Sequence, residues 1–337
     1  VVGADVLYGG PRNDTIDGGL GDDAILGDTG DDILHGGAGD DNMGGSENDQ
    51  IFGDAGNDTL SAGYYPGVAG TTMLDGGPGS DFLGIYFGAN NPSPVAKGGD
   101  GNDSFLVSGS GHATLDGGAG DDQFVMQNAD GVSIIFGVGS DSLSFDPSRG
   151  SSKNILVQDF QPGASGDRLD LLAYLDTFAT GWDRSTNPFA AGYLRFNDVG
   201  ASTTLQIKGA NGWADLVTLQ NVTSGLLRSE NLSGYGADGS TPGLNLNAGA
   251  AAGTLTGGIG PDVIVGGSGG DSLQGDRGND TLTGGAGDDT LDGGLGSDVV
   301  HGGDGADRVF DLSAGGDSYF GDAGDDNFNI SRQTDAG

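Results

Sequence analysis

Aspartate is the residue whose spacing could do chemistry in this chain. It recurs at Asp5, Asp14, Asp23, Asp32 and Asp41, then at Asp49 and Asp58. A second series runs Asp262, Asp271, Asp280, Asp289, Asp298, Asp307, Asp317 and Asp326. The step is nine residues, except for one of eight (Asp41 to Asp49) and one of ten (Asp307 to Asp317), a single deletion and a single insertion. Between the series lie Asp81, Asp103, Asp122 and Asp141, the last two steps being 19 residues, or two units plus one residue. One unit in each such pair has lost its aspartate and kept its length. Carboxylates at a fixed interval are hard oxygen ligands. Six to eight carboxylate and carbonyl oxygens suit Ca²⁺, whereas Mg²⁺ wants a tighter octahedron and keeps its waters. Zn²⁺ and Cu²⁺ would look for His or Cys.

Other candidate chemistry is thinner. Gly266-Gly267-Ser268-Gly269-Gly270 matches the G-x-S-x-G pattern of a nucleophilic serine, but the repeat explains every one of its residues and no strand-to-helix elbow surrounds it. His35 and His301 both fall at the last position of a unit, an outward strand site, and His112 sits in a degenerate unit. Asp167 and Asp170 have the types for glycoside chemistry, yet nothing around them suggests a pocket, and a turn or ligand role fits better. No catalytic constellation emerges, so the chain reads as a non-enzyme. There is no EF-hand loop either, and the calcium inference rests on the repeat alone.

Composition narrows the classes further. Of the 49 acidic residues 47 are Asp, against 12 Lys+Arg and 72 Gly in 337 residues, for a net charge of −37. Asp with Gly suits tight turns and cation sites, whereas a charged helical or disordered chain would use Glu and Lys freely. No basic face for nucleic acid can be assembled. No apolar run is long enough to span a membrane as a helix. Cys is absent, which removes disulfides and thiolate metal sites. The chain begins Val1-Val2-Gly3 without Met or a signal-like segment, and reads as a piece of something longer.

The elements that must position these aspartates follow from the same repeat. Each of the 19 aspartates has an apolar residue two places on, from Leu7, Ile16 and Ile25 to Val309, Tyr319 and Phe328. A flexible Gly/Asp linker would not hold that register. Six turn residues and three strand residues make half a coil, with glycines allowing positive φ and the middle strand side chain pointing inward. Two units make a coil of about 18 residues, and coils stack as parallel strands roughly 4.8 Å apart. Stacked carboxylates at that spacing repel by about 1 kcal/mol in water and by several times more in a packed turn. Extra acids at Asp22, Asp31, Asp40, Asp121, Asp288 and Asp325 add to this. A cation must enter the turns.

Residues 64–70 and 85–97, with Pro66, Pro92 and Pro94, read as looped insertions. The block from Asp146 to Ala250 is different, with ten acids, seven bases and 14 Gly. Strands are expected near Ile155–Phe160, Tyr193–Phe196, Thr204–Lys208 and Leu216–Leu219, and a short helix or strand over Leu169–Leu175. Trp182, Phe189 and Trp213 are expected to fill a small core.

The Gly-Gly-x-Gly-x-Asp-x-apolar-x unit, as in Gly284-Gly285-Ala286-Gly287-Asp288-Asp289-Thr290-Leu291-Asp292, resembles the RTX (repeats-in-toxin) calcium-binding β-roll of bacterial type I secreted proteins. The resemblance covers roughly residues 3–145 and 254–330. It implies an all-β, right-handed parallel β-roll in which Ca²⁺ ions sit between neighbouring turns, held by the 19 aspartates named above and by turn carbonyls. Departures are Arg12 at the fourth-position glycine, Ser46 and Glu47 ahead of Asp49, and Pro261 ahead of Asp262, and those half-sites should bind weakly or not at all. The segments Ile155–Phe160, Gly166–Leu171 and Leu216–Val222 resemble the C-terminal targeting region of type I secreted proteins. The implied organisation is an RTX β-roll over 1–61, a degenerate one with insertions over 62–145, a β-rich middle domain over 146–253, and a second β-roll over 254–337. The implied function is that of an extracellular or cell-surface structural module (surface layer, adhesin or filament segment) that folds on Ca²⁺ after export by type I secretion machinery. Self-association outside the cell is a further expectation. The alternative is the repeat region of a secreted hydrolase or toxin whose catalytic domain lies elsewhere.

Overall fold

A computed structural model of the chain describes residues 2–63, 71–87, 93–163, 166–179, 181–182, 186–209, 212–237, 240, 243–249, 252–258, 260–311 and 316–330. It is all-β, built from parallel coils, and divides into two compact units: residues 1–182 with 193–227, and residues 183–192 with 228–337.

In the first unit, alternate strands go to alternate sheets, as half-coils require. Val6–Pro11, Ala24–Thr29, Asn42–Gly45, Thr59–Ala62, Phe82–Tyr86, Ser104–Ser110, Gln123–Asp130, Ser142–Phe145 and Arg168–Asp170 form one parallel sheet. Thr15–Leu20, Ile33–Ala38, Gln50–Ala55, Met73–Pro78, Val95–Asp100, Thr114–Ala119, Ser133–Val138 and Ile155–Val157 form the facing one. The middle block therefore continues both sheets. Gly212–Leu219 pairs parallel with Ile155–Val157, and an antiparallel meander through Ser202–Gly209 and Leu194–Val199 finishes that sheet. Arg168–Asp170 is followed directly by the helix Leu172–Phe178, so the segment expected as helix or strand supplies both.

The apolar register is the inward row. Leu7, Ile25, Met43, Leu60, Leu83, Phe105, Phe124, Leu143 and Leu169 are successive partners across the first sheet. Ile16, Leu34, Ile51, Leu74, Ala96, Leu115, Ile134 and Val157 are partners across the second. All but those near the N-terminal edge are buried, each contributing about 1.5–3 kcal/mol for a large aliphatic or aromatic side chain. Phe105 stacks on Phe124 with centroids 4.6 Å apart, and Phe124 meets Phe136 of the facing sheet at 5.2 Å with the rings tilted.

The second unit repeats the plan with fewer strands. Asn245–Asn247, Val263–Gly267, Thr281–Ala286, Val299–Asp304 and Ser318–Ala323 form one sheet, and Thr254–Thr256, Ser272–Gln274, Thr290–Asp292, Arg308–Asp311 and Asn327–Ile330 the other. Its core is a single thin strip: Ile264, Leu273, Leu282, Leu291, Val300 and Val309, flanked by Leu246, Leu255 and Tyr319.

Several details differ from the sequence reading. Ile85–Tyr86 and Val95–Lys97 belong to strands, so the ends of the expected insertion at 85–97 are regular; Pro94 is buried, while Pro92 and the insertion at 64–70 lie outside the described residues. Trp213 is partly exposed on the meander, with the Arg195 guanidinium 4.2 Å over its ring, because its strand position faces outward. Trp182 is buried as expected. No described helix is long and apolar enough to cross a membrane.

Candidate metal centre

The repeated aspartates end the six-residue turns, and the coil repeat stacks them. In the first unit the backbone N–H of Asp5 donates to Oδ1 of Asp23 at 2.7 Å, and the pattern continues through Asp41, Asp58, Asp81, Asp103, Asp122 and Asp141 to Asp167. On the opposite edge Asp14 donates to Asp32 and Asp32 to Asp49. In the second unit one edge carries Asp262, Asp280, Asp298 and Asp317, and the other Asp271, Asp289, Asp307 and Asp326. The structure thus brings all 19 sequence-derived aspartates into four edge rows. Those inside the arrays are buried, whereas Asp5, Asp14, Asp317 and Asp326 at the ends are half-buried.

From Asp23 and Asp32 onward in the first unit, and throughout the second, one oxygen of each carboxylate is satisfied by such a backbone bond, and the other is the informative one. Oδ2 of Asp5, Asp23, Asp32, Asp41, Asp58, Asp81, Asp103, Asp122, Asp141, Asp271, Asp280, Asp289 and Asp307 is buried without a hydrogen-bond partner. An isolated buried anionic oxygen is costly, so each needs a proton or a cation. The surroundings favour a cation. A methyl group placed on Gly284 would lie 2.2 Å from Oδ2 of Asp289 and 2.3 Å from the carbonyl oxygen of Gly302. The same pair of acceptors converges over Gly18, Gly76, Gly98 and Gly117. Two acceptors face one another with no donor between them, and that is a donor set for a hard, oxygen-seeking ion. Among the described residues no three His, Cys, Asp or Glu side chains converge, so an ion here would complete its shell with backbone carbonyls.

Burial raises these carboxyls above their ordinary value of 3.8. Desolvation is the main cause, opposed by the backbone N–H bonds and reinforced by neighbouring aspartates. Asp49, Asp103 and Asp141 are pushed up to about 6, and Asp58, Asp122 and Asp280 to about 7. Asp32, Asp41, Asp81, Asp262, Asp289 and Asp307 move in the same direction.

The departing turns behave differently. Oδ2 of Asp49 accepts from the Ser46 N–H at 2.6 Å, and Oδ2 of Asp262 accepts from the Gly258 N–H at 2.6 Å. In these turns a backbone donor occupies the oxygen that a cation would use. Asp167 is not one of the repeat aspartates, yet it terminates the long ladder. It is fully buried, with Oδ1 accepting from Asp141 and Oδ2 from Gln161. Gly166 precedes it and Leu169 stands two places on, but its 26-residue distance from Asp141 takes it out of the nine-residue register, and its pairing with Asp141 reveals the role.

A second, exposed ladder runs the other way. The fifth-position side chains of Asp22, Asp40, Asn57, Asn102 and Asp121 accept from the backbone of the following coil. Each turn is therefore tied to one neighbour through its fifth residue and to the other through its sixth. The histidines lie outside this chemistry. His35 stacks on Phe52 and bonds Asp54 at 2.9 Å, His301 stacks on Phe320 and bonds Asp322 at 3.0 Å, and His112 bonds the Gly131 carbonyl. Ser268 lies in a repeat turn, its N–H donating to Gly249, and Asp170 caps the start of the helix through Leu172.

The first glycine of the unit should be as necessary as the aspartate. Gly284→Ala puts a methyl group into the space shared by Asp289 and Gly302, whose backbone cannot yield. We expect a loss of about 1–3 kcal/mol in the calcium-loaded form, from overpacking, read as a lower melting temperature in saturating Ca²⁺. Gly225→Ala, at a glycine with open space around it, should leave that temperature unchanged.

Comparison with known proteins agrees with the geometry over the regular arrays. The family profile described as RTX calcium-binding nonapeptide repeat (4 copies) matches residues 2–34, 18–47, 43–63, 247–282 and 274–309. No curated protein matches the chain. Among solved structures, a hyperactive, Ca²⁺-dependent, β-helical antifreeze protein from an Antarctic bacterium aligns at 15% identity. The alignment covers 99% of this chain and 86% of that one with a TM-score of 0.29, too low to carry any argument.

Proposed function

We propose, starting from the RTX calcium-binding nonapeptide family to which the repeats in residues 2–63 and 247–309 belong, that this calcium-binding β-helical module works outside the cell as a structural element. Calcium binding is the basic property; folding on calcium is the use made of it. The observation that carries the reading is the row of buried Oδ2 atoms without donors in both units. Bound Ca²⁺ supplies the positive charge that those oxygens and the turn carbonyls lack. Asp23, Asp41, Asp58, Asp81, Asp103, Asp122 and Asp141 would hold ions on one edge of the first unit, and Asp32 on the other. Asp271, Asp280, Asp289 and Asp307 would do so in the second.

Without the ion, stacked charge opposes coil formation, and the apolar strip of one residue per nine is thin. An exported chain in a calcium-poor cytosol would stay extended enough for type I secretion machinery. Outside, millimolar Ca²⁺ matches the affinities of extracellular modules, and binding free energy becomes folding free energy. Each coil touches only its neighbours, so loading is cooperative along the arrays. A stiff calcium-set rod segment suits a surface layer, adhesin or extracellular filament.

Far-UV circular dichroism tests the coupling. In EGTA the β signal should drop by a large fraction, and added Ca²⁺ should restore it over a narrow range near millimolar, with Mg²⁺ much less effective. An identical spectrum with and without calcium would remove the reading.

A further inference from the structure

The two edges of the first unit part company after Asp49. The row Asp14, Asp32, Asp49 continues in register, as its backbone carbonyls show: each accepts from the strand of the next coil, and the acceptors run Asp14, Asp32, Asp49, Thr72, Pro94, Ala113 and Val132. The last four positions carry no carboxylate, and all four residues are buried.

A compensating change lies one turn back. The first position of those four turns, glycine in most turns that end in a repeat aspartate, becomes Ala62, Ile85, Val107 and Met126, and Phe145 extends the row into the next turn. These five are successive register partners on one inward row that starts from Gly45, and all are buried. Their turns also drop the strict length. Val107 to Ala113 and Met126 to Val132 each span six positions, where Gly117 to Asp122 spans five. The opposite edge keeps glycine at Gly76, Gly98 and Gly117, with Asp81, Asp103 and Asp122. Only its last turn differs, with Phe136 ahead of Asp141. Along this edge an apolar side chain stands where the other edge holds glycine close under a carboxylate oxygen at Gly76, Gly98 and Gly117.

We propose that this edge takes no calcium beyond Asp49, and that residues 72–182 with 193–219, where only the other edge keeps carboxylates, form a folding nucleus that depends less on calcium and on which the more calcium-dependent coils of the first unit assemble. The inward row from Ile85 to Phe145 adds to the Phe105, Phe124, Phe136 and Phe160 cluster. Tyr174 closes it, 5.4 Å from Phe145 between ring centroids and bonded through its hydroxyl to Ser152. The meander of Leu194–Val199, Ser202–Gly209 and Gly212–Leu219 supplies side-chain packing that needs no ion. Asp167, with both oxygens on backbone N–H groups, ends the remaining carboxylate ladder without one. By contrast, coils through 5–61 and 262–311 hold one inward aliphatic per half-coil and nothing else. A seed with few long-range requirements, extended coil by coil, is how solenoids propagate.

The inference rests on the calcium reading above, and hydrogen exchange with mass spectrometry on the full chain separates the two. In EGTA, amides of strands Ser104–Ser110, Gln123–Asp130, Ser133–Val138 and Ser202–Gly209 should exchange roughly a hundredfold more slowly than those of Ala24–Thr29, Ile33–Ala38, Thr281–Ala286 and Val299–Asp304. With calcium all should be protected. Uniformly fast exchange in EGTA overturns the nucleus and leaves the calcium reading standing. Uniformly slow exchange, unchanged by calcium, removes both. Met126→Ala supplies the second arm, since it weakens the nucleus without touching a carboxylate. In EGTA it should speed exchange around Gln123–Asp130 by about tenfold, with a much smaller effect in calcium. Equal effects in the two conditions, or none, would count against the nucleus.

Discussion

In the absence of divalent cations the melting temperature of this protein should fall as pH rises from about 5 to 8, and in millimolar Ca²⁺ it should rise over the same range. The sign follows from the carboxyls. In the cation-free fold Asp49, Asp103 and Asp141 sit near 6 and Asp58, Asp122 and Asp280 near 7, all above the 3.8 of an unhindered side chain. The folded state then holds more protons than the unfolded one. Stability is complete below the unfolded value near 4 and drains away as pH climbs through 6 to 7. Calcium binds the ionised form, so protons compete with it and apparent affinity drops as pH falls through the same window. General self-repulsion from a net charge of −37 pushes the cation-free slope the same way. Salt separates the contributions: 0.5 M NaCl screens exposed charge but hardly touches buried pairs, so the reversal of slope by calcium should survive it. Melting curves at four pH values, in EGTA and in CaCl₂, suffice. Slopes of the same sign in both would contradict the assignment of the buried oxygens to a cation.

Much of this architecture was legible because two periodic constraints coincide. The inward row needs an apolar residue at one place in nine, and the turn needs an aspartate two places earlier, so Leu282 and Asp280, or Leu60 and Asp58, announce each other. What escaped is what lies outside that coincidence. Leu74, Ala96, Leu115 and Ile134 occupy the same inward row without an aspartate before them. The replacement of first-position glycine by Ala62, Ile85, Val107 and Met126 is visible only once the register places them in one line, because their turns differ in length. Asp167 does carry the paired signal, with Leu169 two places on, but at 26 residues from Asp141 it falls out of the nine-residue register, and its role is defined by a backbone N–H of another coil. Trp213 illustrates the reverse error: an aromatic residue suggests core, but strand alternation and a cation over its ring place it at the surface.

Asp289→Asn should stabilise the protein in EGTA and weaken it in calcium, and the change of sign is the point. The side chain is buried, its Oδ1 accepts from the Asp271 N–H at 2.7 Å, and its Oδ2 has no donor. An asparagine keeps the first bond. Its amide nitrogen then stands where Oδ2 was, beside the Gly302 carbonyl, and can donate to it. Without calcium the exchange removes a buried charge and satisfies an acceptor, a gain of about 1–2 kcal/mol. With calcium it removes an anionic ligand, and the calcium midpoint should rise roughly tenfold, about 1.4 kcal/mol. Asp167→Asn is the control that makes the reasoning specific. Both oxygens of Asp167 already accept from backbone N–H groups, of Asp141 at 3.1 Å and Gln161 at 2.6 Å. There the new amide must face a donor whichever way it turns, and the cost of about 1–3 kcal/mol should appear equally in EGTA and in calcium. Thermal melts of the two variants in both buffers give four numbers. If Asp289→Asn behaves like Asp167→Asn, the free oxygen of Asp289 does not await an ion, and neither do its counterparts over Gly18, Gly76, Gly98 and Gly117.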